Sequence, residues 1–281
     1  MTLEEIATFI VADGKGILAA DESNPTCGKR FDSIGVESTE ENRRDYREML
    51  FRSKGMKGNI GGVILFDETI RQSAADGTLL REIILKQGAL PGIKVDKGLQ
   101  PIENFPGETV TVGLDGLDER LKEYAEMGAK FTKWRAVINI GDGIPSDECI
   151  HANMDALAQY AKCAQENGMV PIVEPEVLMD GEHSIDACYD ATNRSLKSLF
   201  EHLEKYQVNI KGTILKPNMV TSGSNHNTQA SINEVATRTI DCLVKNVPAE
   251  LPGVAFLSGG QSDVLATAHL DAMNKIGGVS W

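Results

Sequence analysis

Short apolar segments alternate with segments of helical period along the chain, and this alternation constrains the fold more than any other feature. The apolar segments, typical of buried parallel strands, are 16–21, 60–66, 92–97, 130–139, 169–176, 211–217 and 253–258. Their connections are short and glycine-rich, and we find no interdomain linker between them. Repeated strand-helix units of this kind predict a parallel sheet, and a run of seven favours a closing barrel over a doubly wound sheet.

The helical segments carry their own start and stop signals. Thr2 and Glu5 have the spacing of a capping box, which predicts an amphipathic N-terminal helix and not a signal peptide. An apolar stripe predicts a second helix over 117–127. Ser146 can cap a long helix that ends at Gly168, directly before the strand that begins at 169.

A chain of 281 residues is long enough for one large α/β barrel. We therefore expect a single barrel domain over residues 1–281. An eight-unit barrel needs one more strand than the pattern supplies, because the sequence reaches Trp281 directly after the seventh helix. The expected fold is a (β/α)8 TIM barrel truncated before its eighth strand, without the C-terminal part of the domain.

Composition excludes several classes of protein. No apolar run approaches the roughly 20 residues needed to cross a bilayer. A net charge of -13 disfavours binding to nucleic acid or to an anionic membrane. The five cysteines form no C-x-x-C pair, so neither a disulfide framework nor a thiolate zinc site is indicated and a reducing compartment is expected.

The five histidines show no metal-binding spacing. They are His151, His183, His202, His226 and His269. Most lie in predicted helices or loops, where solvated or capping roles are commoner than ligation. A metal-dependent reaction is therefore disfavoured.

Three predicted strands carry pairs of ionisable residues two positions apart. The pairs are Lys94 with Asp96, Lys133 with Arg135, and Glu174 with Glu176. Residues two apart face the same side of a strand, and a barrel strand has helices on one side and the interior on the other. Buried charges must pair with one another, so these side chains are expected to converge at the carboxyl-terminal mouth of the barrel.

Lys216 is the most informative single residue. It ends an apolar strand, where a lysine often extends its ammonium group to solvent. If it lies inside a barrel beside Lys133, burial and the neighbouring charge both favour a neutral amine, which is a nucleophile. Glu174 and Glu176 could then shuttle protons, although simple charge balance for Lys133 and Arg135 is the competing interpretation.

Two strand ends give weaker signals. Asp21 ends the first predicted strand and could act as a base or cap the following helix. Ser258, Gly259 and Gly260 follow the seventh strand, where a glycine-rich turn into a helix often binds phosphate. A plain left-handed turn is the alternative for this segment.

The chain resembles the class I fructose-bisphosphate aldolases along nearly its whole length. The stretches that carry the resemblance are 14–23, 39–44, 61–66, 92–98, 133–135, 173–176, 215–220 and 257–262. The resemblance implies a (β/α)8 barrel that reversibly cleaves fructose 1,6-bisphosphate to dihydroxyacetone phosphate and glyceraldehyde 3-phosphate. It also implies a lysine Schiff base, no metal or other cofactor, a homotetramer, cytoplasmic residence with a plastid location open, and possible cytoskeletal partners.

By this resemblance Lys216 is the Schiff-base lysine and Glu174 the acid/base that dehydrates the carbinolamine. Asp21 would handle the proton of the C4 hydroxyl, with Glu176 and Lys133 in support. Substrate-binding positions match Ser23, Thr26, Lys29, Arg30, Arg43, Lys94, Arg135, Ser258, Gly259 and Gly260. The 24–28 run and Lys211 depart from the family pattern, and the family's eighth strand with its phosphate-binding arginine, and its tyrosine-ended tail, are not in the given sequence.

Two alternatives stay open at this point. The catalytic lysine does not define the length of the sugar, so another imine-forming aldolase or a transaldolase would use the same chemistry. A noncatalytic scaffold or an inactive fragment of the same family is the alternative of a different class.

Overall fold

The structure is a computed structural model that describes residues 1–279. Strands and helices alternate as the sequence predicts. In chain order they are α1 (Leu3–Ile10), β1 (Gly16–Ala20), α2 (Asn24–Asp32), α3 (Glu40–Phe51), β2 (Ile60–Leu65), α4 (Asp67–Arg71), α5 (Leu80–Lys86), β3 (Leu90–Lys94), β4 (Leu99–Pro101), β5 (Thr109–Thr111), α6 (Leu117–Glu126), β6 (Phe131–Ile138), α7 (Asp147–Glu166), β7 (Val170–Val177), α8 (Ile185–Lys205), β8 (Ile214–Leu215), α9 (Ile232–Asn246) and α10 (Asp263–Ile276). The expected end of the barrel at Ser280 and Trp281 lies outside the described residues.

Six strands form one parallel sheet in the order β1-β2-β3-β6-β7-β8. The central pair, β6 and β7, is in register over eight residues, from Phe131 opposite Val170 to Ile138 opposite Val177. Helices cover the outer face, and β6 and β7 are buried along almost their whole length. The sheet order follows the chain order, as in a barrel and unlike a doubly wound sheet.

The seventh predicted strand is present as a hydrogen-bonded segment beside β8. The Leu215 amide donates to the carbonyl oxygen of Gly253, and the Ala255 amide donates to that of Leu215. The Leu257 amide continues the pairing to Pro217. In the described part of the chain the sheet is therefore an open, partial barrel, with β1 at one edge and the 253–257 segment at the other.

Helix α1 covers the amino-terminal end of the barrel. Its Thr2 hydroxyl accepts from the Glu5 amide and the Glu5 carboxylate accepts from the Thr2 amide, which confirms the predicted capping box. Ile6 and Ile10 pack into an apolar cluster with Phe131 and neighbouring strand residues. This end of the barrel is thus filled with hydrocarbon, so charged groups are concentrated at the opposite end.

The structure also contains two elements that the pattern did not predict. Strands β4 and β5 form an antiparallel hairpin outside the main sheet. A short 3₁₀ turn, Ile210–Gly212, occupies the start of the predicted 211–217 strand, which leaves β8 with only two residues. Both are local departures, and the carboxyl ends of the main strands still reach one mouth.

Candidate active site

The carboxyl-terminal ends of five barrel strands place the predicted ionic residues at one mouth. Asp21 follows β1 and Lys94 ends β3, while Lys133 and Glu174 lie within β6 and β7. Lys216 follows β8, and its amide donates to the Val173 carbonyl oxygen, so the chain is still in register with β7 at this point. The parallel sheet therefore brings together residues that lie far apart in sequence.

Lys216 lies beside Glu174 inside this mouth. Its Nζ donates a hydrogen bond of 2.5 Å to Glu174 Oε1, and only 13 % of its side chain is exposed. The other carboxylate oxygen, Glu174 Oε2, lies 3.3 Å from Lys133 Nζ. One buried carboxylate thus bridges two lysines. The interpretation in which Lys216 extends its ammonium group to solvent is wrong.

Lys133 extends this ionic chain to Asp21. Its Nζ lies 2.7 Å from Asp21 Oδ2. Burial disfavours the charged form of Asp21, but the charges of Lys133 and Lys216 outweigh it and hold the pKa of Asp21 below its ordinary value. Burial likewise disfavours the ammonium of Lys133, yet Glu174 and Asp21 raise its pKa above the ordinary value. The resting site therefore holds Lys133 as a cation and Asp21 as an anion.

A second group of charges surrounds this chain. Arg135 is paired with Glu176, and Lys94 Nζ lies 2.6 Å from Asp96 Oδ1. Although burial opposes its charge, the pKa of Arg135 is raised by Glu176. Arg135 keeps 40 % of its side chain exposed, so its guanidinium can also meet a ligand entering the mouth.

Two cavities adjoin at the mouth and share Ala19 and Arg135. The first, of about 830 Å³, contains Asp21 and Lys133 and is lined by the cations Arg30 and Lys94. The second, of about 490 Å³, contains Lys216, Glu174, Glu176 and the Ser258–Gly260 turn. The ionic residues of the mouth are thus divided between two adjoining compartments, an arrangement that suits a ligand with an anionic group at each end.

The Ser258–Gly260 turn has a left-handed backbone at both of its glycines. Gly259 and Gly260 have φ of 65° and 96°, values that an L side chain rarely adopts. Gln261 supports the turn, since its Nε2 donates to the Ser258 carbonyl oxygen at 2.8 Å. Buried His269 in turn contacts Gln261 Oε1 through Nδ1 at 2.6 Å. The sequence analysis did not identify this supporting pair.

Not every predicted substrate-binding residue reaches the two cavities. Ser23 and Thr26 line the first, with their hydroxyls 3.0 Å apart. Lys29 is exposed on α2 and lines neither cavity. Arg43 also lines neither, because its guanidinium makes a two-point contact with Glu68 at 2.8 and 2.6 Å. Roles for Lys29 and Arg43 in binding substrate stay predictions.

A buried charge network behind Asp21 went unnoticed in the sequence. Arg47 is fully buried, donates to the Ala20 and Glu22 carbonyl oxygens, and lies 3.7 Å from the Glu22 carboxylate. It therefore fixes the segment that positions Asp21. Helix α3 looks like a solvated helix in the sequence, so only the three-dimensional contacts reveal this role.

The fold and this site define a class of protein. It is an α/β barrel whose mouth presents a paired lysine, flanked by carboxylates and cations, to a small anionic ligand. Among residues 1–279, no helix has the length and apolar character that crossing a membrane requires.

Comparison with known proteins identifies the family within this class. The family model described as fructose-bisphosphate aldolase class-I matches residues 2–281. The probable fructose-bisphosphate aldolase class 1 of Xanthomonas campestris is 55 % identical over 99 % of this chain and 84 % of its own length. Aldolase 4, cytosolic, of Arabidopsis thaliana is 50 % identical over 97 % of this chain and 69 % of its own length.

A solved structure agrees with the sequence comparisons. The aldolase from Plasmodium falciparum, determined in complex with TRAP and a small-molecule inhibitor, superposes with a TM-score of 0.98. It is 46 % identical and covers 99 % of this chain and 81 % of its own. The protein belongs to the class I fructose-bisphosphate aldolase family, and the predicted barrel class is confirmed.

Proposed function

We propose that this protein cleaves fructose 1,6-bisphosphate reversibly to dihydroxyacetone phosphate and glyceraldehyde 3-phosphate through an imine on Lys216. The observation that carries the proposal is the 2.5 Å contact between Lys216 Nζ and Glu174 at the barrel mouth. Lys216 lines the same cavity as the Ser258–Gly260 turn, where a phosphate beside the substrate ketone would bind.

Imine formation begins with one proton transfer along the Lys216–Glu174 hydrogen bond. The transfer leaves a neutral amine that attacks the C2 carbonyl carbon, and it leaves Glu174 as the acid that protonates the departing hydroxyl group. Loss of water gives a protonated imine. Lys133, 3.3 Å from Glu174, keeps its positive charge throughout.

Carbon–carbon cleavage uses the same imine as an electron sink. Asp21 accepts the proton of the C4 hydroxyl group, the C3–C4 bond breaks, and its electron pair moves into the imine to form an enamine. Glyceraldehyde 3-phosphate leaves as the aldehyde. C3 then gains a proton, Asp21 gives up the one that it accepted, and hydrolysis of the imine releases dihydroxyacetone phosphate and restores Lys216.

The two adjoining cavities support a substrate with two phosphates. Attack at C2 by Lys216 puts the C1 phosphate at the Ser258–Gly260 turn. The remainder of the sugar then extends past Arg135 toward Ser23, Thr26 and Arg30, which would bind the C6 phosphate. A sugar with one phosphate would fill only one compartment.

We further propose that the chain forms a single barrel domain and functions as a homotetramer in the cytoplasm. The cytosolic relative from Arabidopsis thaliana supports this location. A plastid location is the competing possibility. The Plasmodium falciparum structure with TRAP supports the second candidate function, a binding partner of other proteins. Cytoskeletal partners stay a prediction.

A cleavage assay with a matched pair of lysine variants tests the proposal. Lys216→Met should lower kcat/KM by more than about 1,000-fold, because losing the covalent nucleophile disables the catalytic unit. Lys211→Met removes an exposed lysine nearby and should leave cleavage unchanged. Chelation with EDTA should also leave cleavage unchanged. If Lys216→Met retained wild-type cleavage, or if the wild-type chain showed none, the proposal would be overturned.

A further inference from the structure

Helices α7 and α8 bring together three side chains that the proposed reaction does not use. His151 and Asp155 lie one turn apart on one face of α7, and His202 lies in the last turn of α8. One ligand atom from each of the three side chains lies within 4.8 Å of the other two. We propose that this cluster binds a divalent transition-metal ion such as Zn²⁺ through two imidazoles and one carboxylate.

The orientation of His202 is that of a metal ligand. Its Nδ1 lies 2.7 Å from the carbonyl oxygen of Ser198. A carbonyl oxygen only accepts hydrogen bonds, so Nδ1 carries a proton, and in the corresponding neutral tautomer the lone pair is on Nε2. Metal-binding histidines are commonly fixed in this way by a backbone carbonyl on the far ring nitrogen.

The free nitrogen of His202 points toward Asp155. Nε2 lies 3.8 Å from Asp155 Oδ1, which is too long for a hydrogen bond. The space between the two atoms suits a bridging cation. His202 is 7 % exposed, so its ring is held in place by packing, and a ligand approaching from the Asp155 side finds this nitrogen already oriented.

His151 completes the set from the solvent side. Its exposed ring packs edge-on against His202, with ring centroids 4.6 Å apart. Zinc–nitrogen bonds of about 2.0–2.1 Å require neighbouring ligand atoms roughly 3.3 Å apart in a tetrahedral site. The three atoms must therefore approach one another, which rotation of the exposed His151 side chain and the partly exposed Asp155 side chain permits.

Lys205 competes with a metal for the same carboxylate. Its Nζ lies 3.1 Å from Asp155 Oδ1, and 59 % of its side chain is exposed. An incoming cation must displace this ammonium group, which can swing into solvent at little cost. Tyr206 and Gln159 also donate to Asp155, at 3.0 and 2.5 Å, and they orient the carboxylate.

The three protein ligands leave a fourth zinc position open to water. The ion would join the middle of α7 to the end of α8 on the outer face of the barrel, and it would stabilise the folded chain in proportion to its occupancy. The sequence could not show this site, because His151 and His202 lie on different helices that are far apart in sequence.

Calorimetric titration of the tag-free, chelator-treated full-length protein with ZnCl₂ tests the site. We expect one ion per chain in the wild-type protein. His151→Ala should weaken binding by at least about tenfold, since even losing an outer-shell partner of a ligand costs ten- to a hundredfold. Lys205→Met should strengthen binding, because it removes the competing charge. If the cluster only stabilised the fold, His151→Ala and Lys205→Met would not change the zinc affinity in opposite directions.

Two controls keep the assignment specific. His226→Ala removes a histidine in the 221–231 segment and should leave the affinity unchanged. Zinc-edge anomalous diffraction from soaked crystals should place the ion between His151, Asp155 and His202. The proposal is overturned if no ion binds, if binding is equal in His151→Ala and wild type, or if it is lost in Cys163→Ser, which would point to the partly exposed thiol instead.

Discussion

At the scale of single residues, the sequence analysis located the ionic residues that meet at the mouth because each breaks a local pattern. Lys133 and Glu174 lie in buried strands and Lys216 directly follows one, and ionisable side chains are costly to bury unless they pair. The structure shows how they pair. Glu174 lies between the two lysines, a detail that spacing within each strand could not supply.

Residues that act from helices were harder to predict. Arg47 is fully buried beneath Asp21, yet it lies in a helix of mostly charged residues. Nothing in the sequence distinguishes Arg47 from Arg44 on the same helix, which is 23 % exposed, because their difference arises from which face packs against β1. Likewise His151 and His202 become neighbours only when α7 packs on α8.

The Asp21–Lys133 ion pair should make stability depend on pH. The pKa of Asp21 is lowered by Lys133 on folding, so its contribution to stability is complete above the unfolded pKa of about 3.9. That contribution disappears as the pH falls through the lowered pKa of the folded state. Asp21→Asn should therefore destabilise the protein at pH 7, and the difference from wild type should narrow below about pH 4.

Urea unfolding at pH 7, 4 and 3 measures this difference. Asp13→Asn, a change at an exposed carboxylate, is the control and should remain close to wild type at every pH. A difference between wild type and Asp21→Asn that stays constant over this range would contradict the ion-pair account. At alkaline pH the direction is reversed. Folding raises the pKa of Lys133, so the stability that the ion pair contributes is lost as the pH rises through this raised pKa.

At the scale of elements, apolar runs located the main strands to within a few residues, because burial on both faces leaves a continuous hydrophobic signature. The two exceptions have physical reasons. The 3₁₀ turn Ile210–Gly212 shortens β8, and Asn209 caps it through Lys211. The β4–β5 hairpin is short and largely exposed, so it carries no such signature.

The close contact between α1 and β2 requires a residue without a side chain at Gly61. A Cβ at Gly61 would lie 2.2 Å from the backbone oxygen of Ile10 in α1. Backbone cannot move aside as a flexible side chain can, so Gly61→Ala should lower the free energy of unfolding by about 3 kcal/mol, at the upper end for overpacking. Urea denaturation would measure the change.

Gly16→Ala is the matched control for that experiment. It lies in β1, is exposed, and a Cβ there meets nothing within 4 Å. Its stability should stay within about 0.5 kcal/mol of wild type, as for most surface changes. Equal losses of stability at the two positions would show that α1 is not packed closely against the amino-terminal end of the barrel.

At the scale of the whole molecule, the alternation of strands and helices predicted the barrel, and the open sheet agrees with seven strand-helix units. The two-compartment mouth could not be predicted from the sequence, since it depends on how far each side chain reaches from its strand. Arg135 lies where the compartments meet. This division gives the proposed substrate preference a structural basis.

The two compartments should respond to different phosphates of the substrate. Arg30→Gln removes a cation from the first cavity and should raise KM for fructose 1,6-bisphosphate about tenfold or more, the worth of a charge-assisted hydrogen bond. KM for fructose 1-phosphate should change little, because that sugar lacks the C6 phosphate. Arg52→Gln, at a 42 % exposed side chain directly after α3, is the control. Equal increases for both sugars would argue against separate phosphate sites.

The central claim is that Lys216 forms the imine, and covalent trapping tests it directly. Trypsin does not cleave before Pro217, so digestion should yield peptide 212–238, in which Lys216 is the only lysine. After borohydride reduction with fructose 1,6-bisphosphate, mass spectrometry should find a reduced sugar-phosphate adduct on this peptide and none in Lys216→Met. An adduct on Lys133, or active cleavage with no adduct on peptide 212–238, would contradict the account.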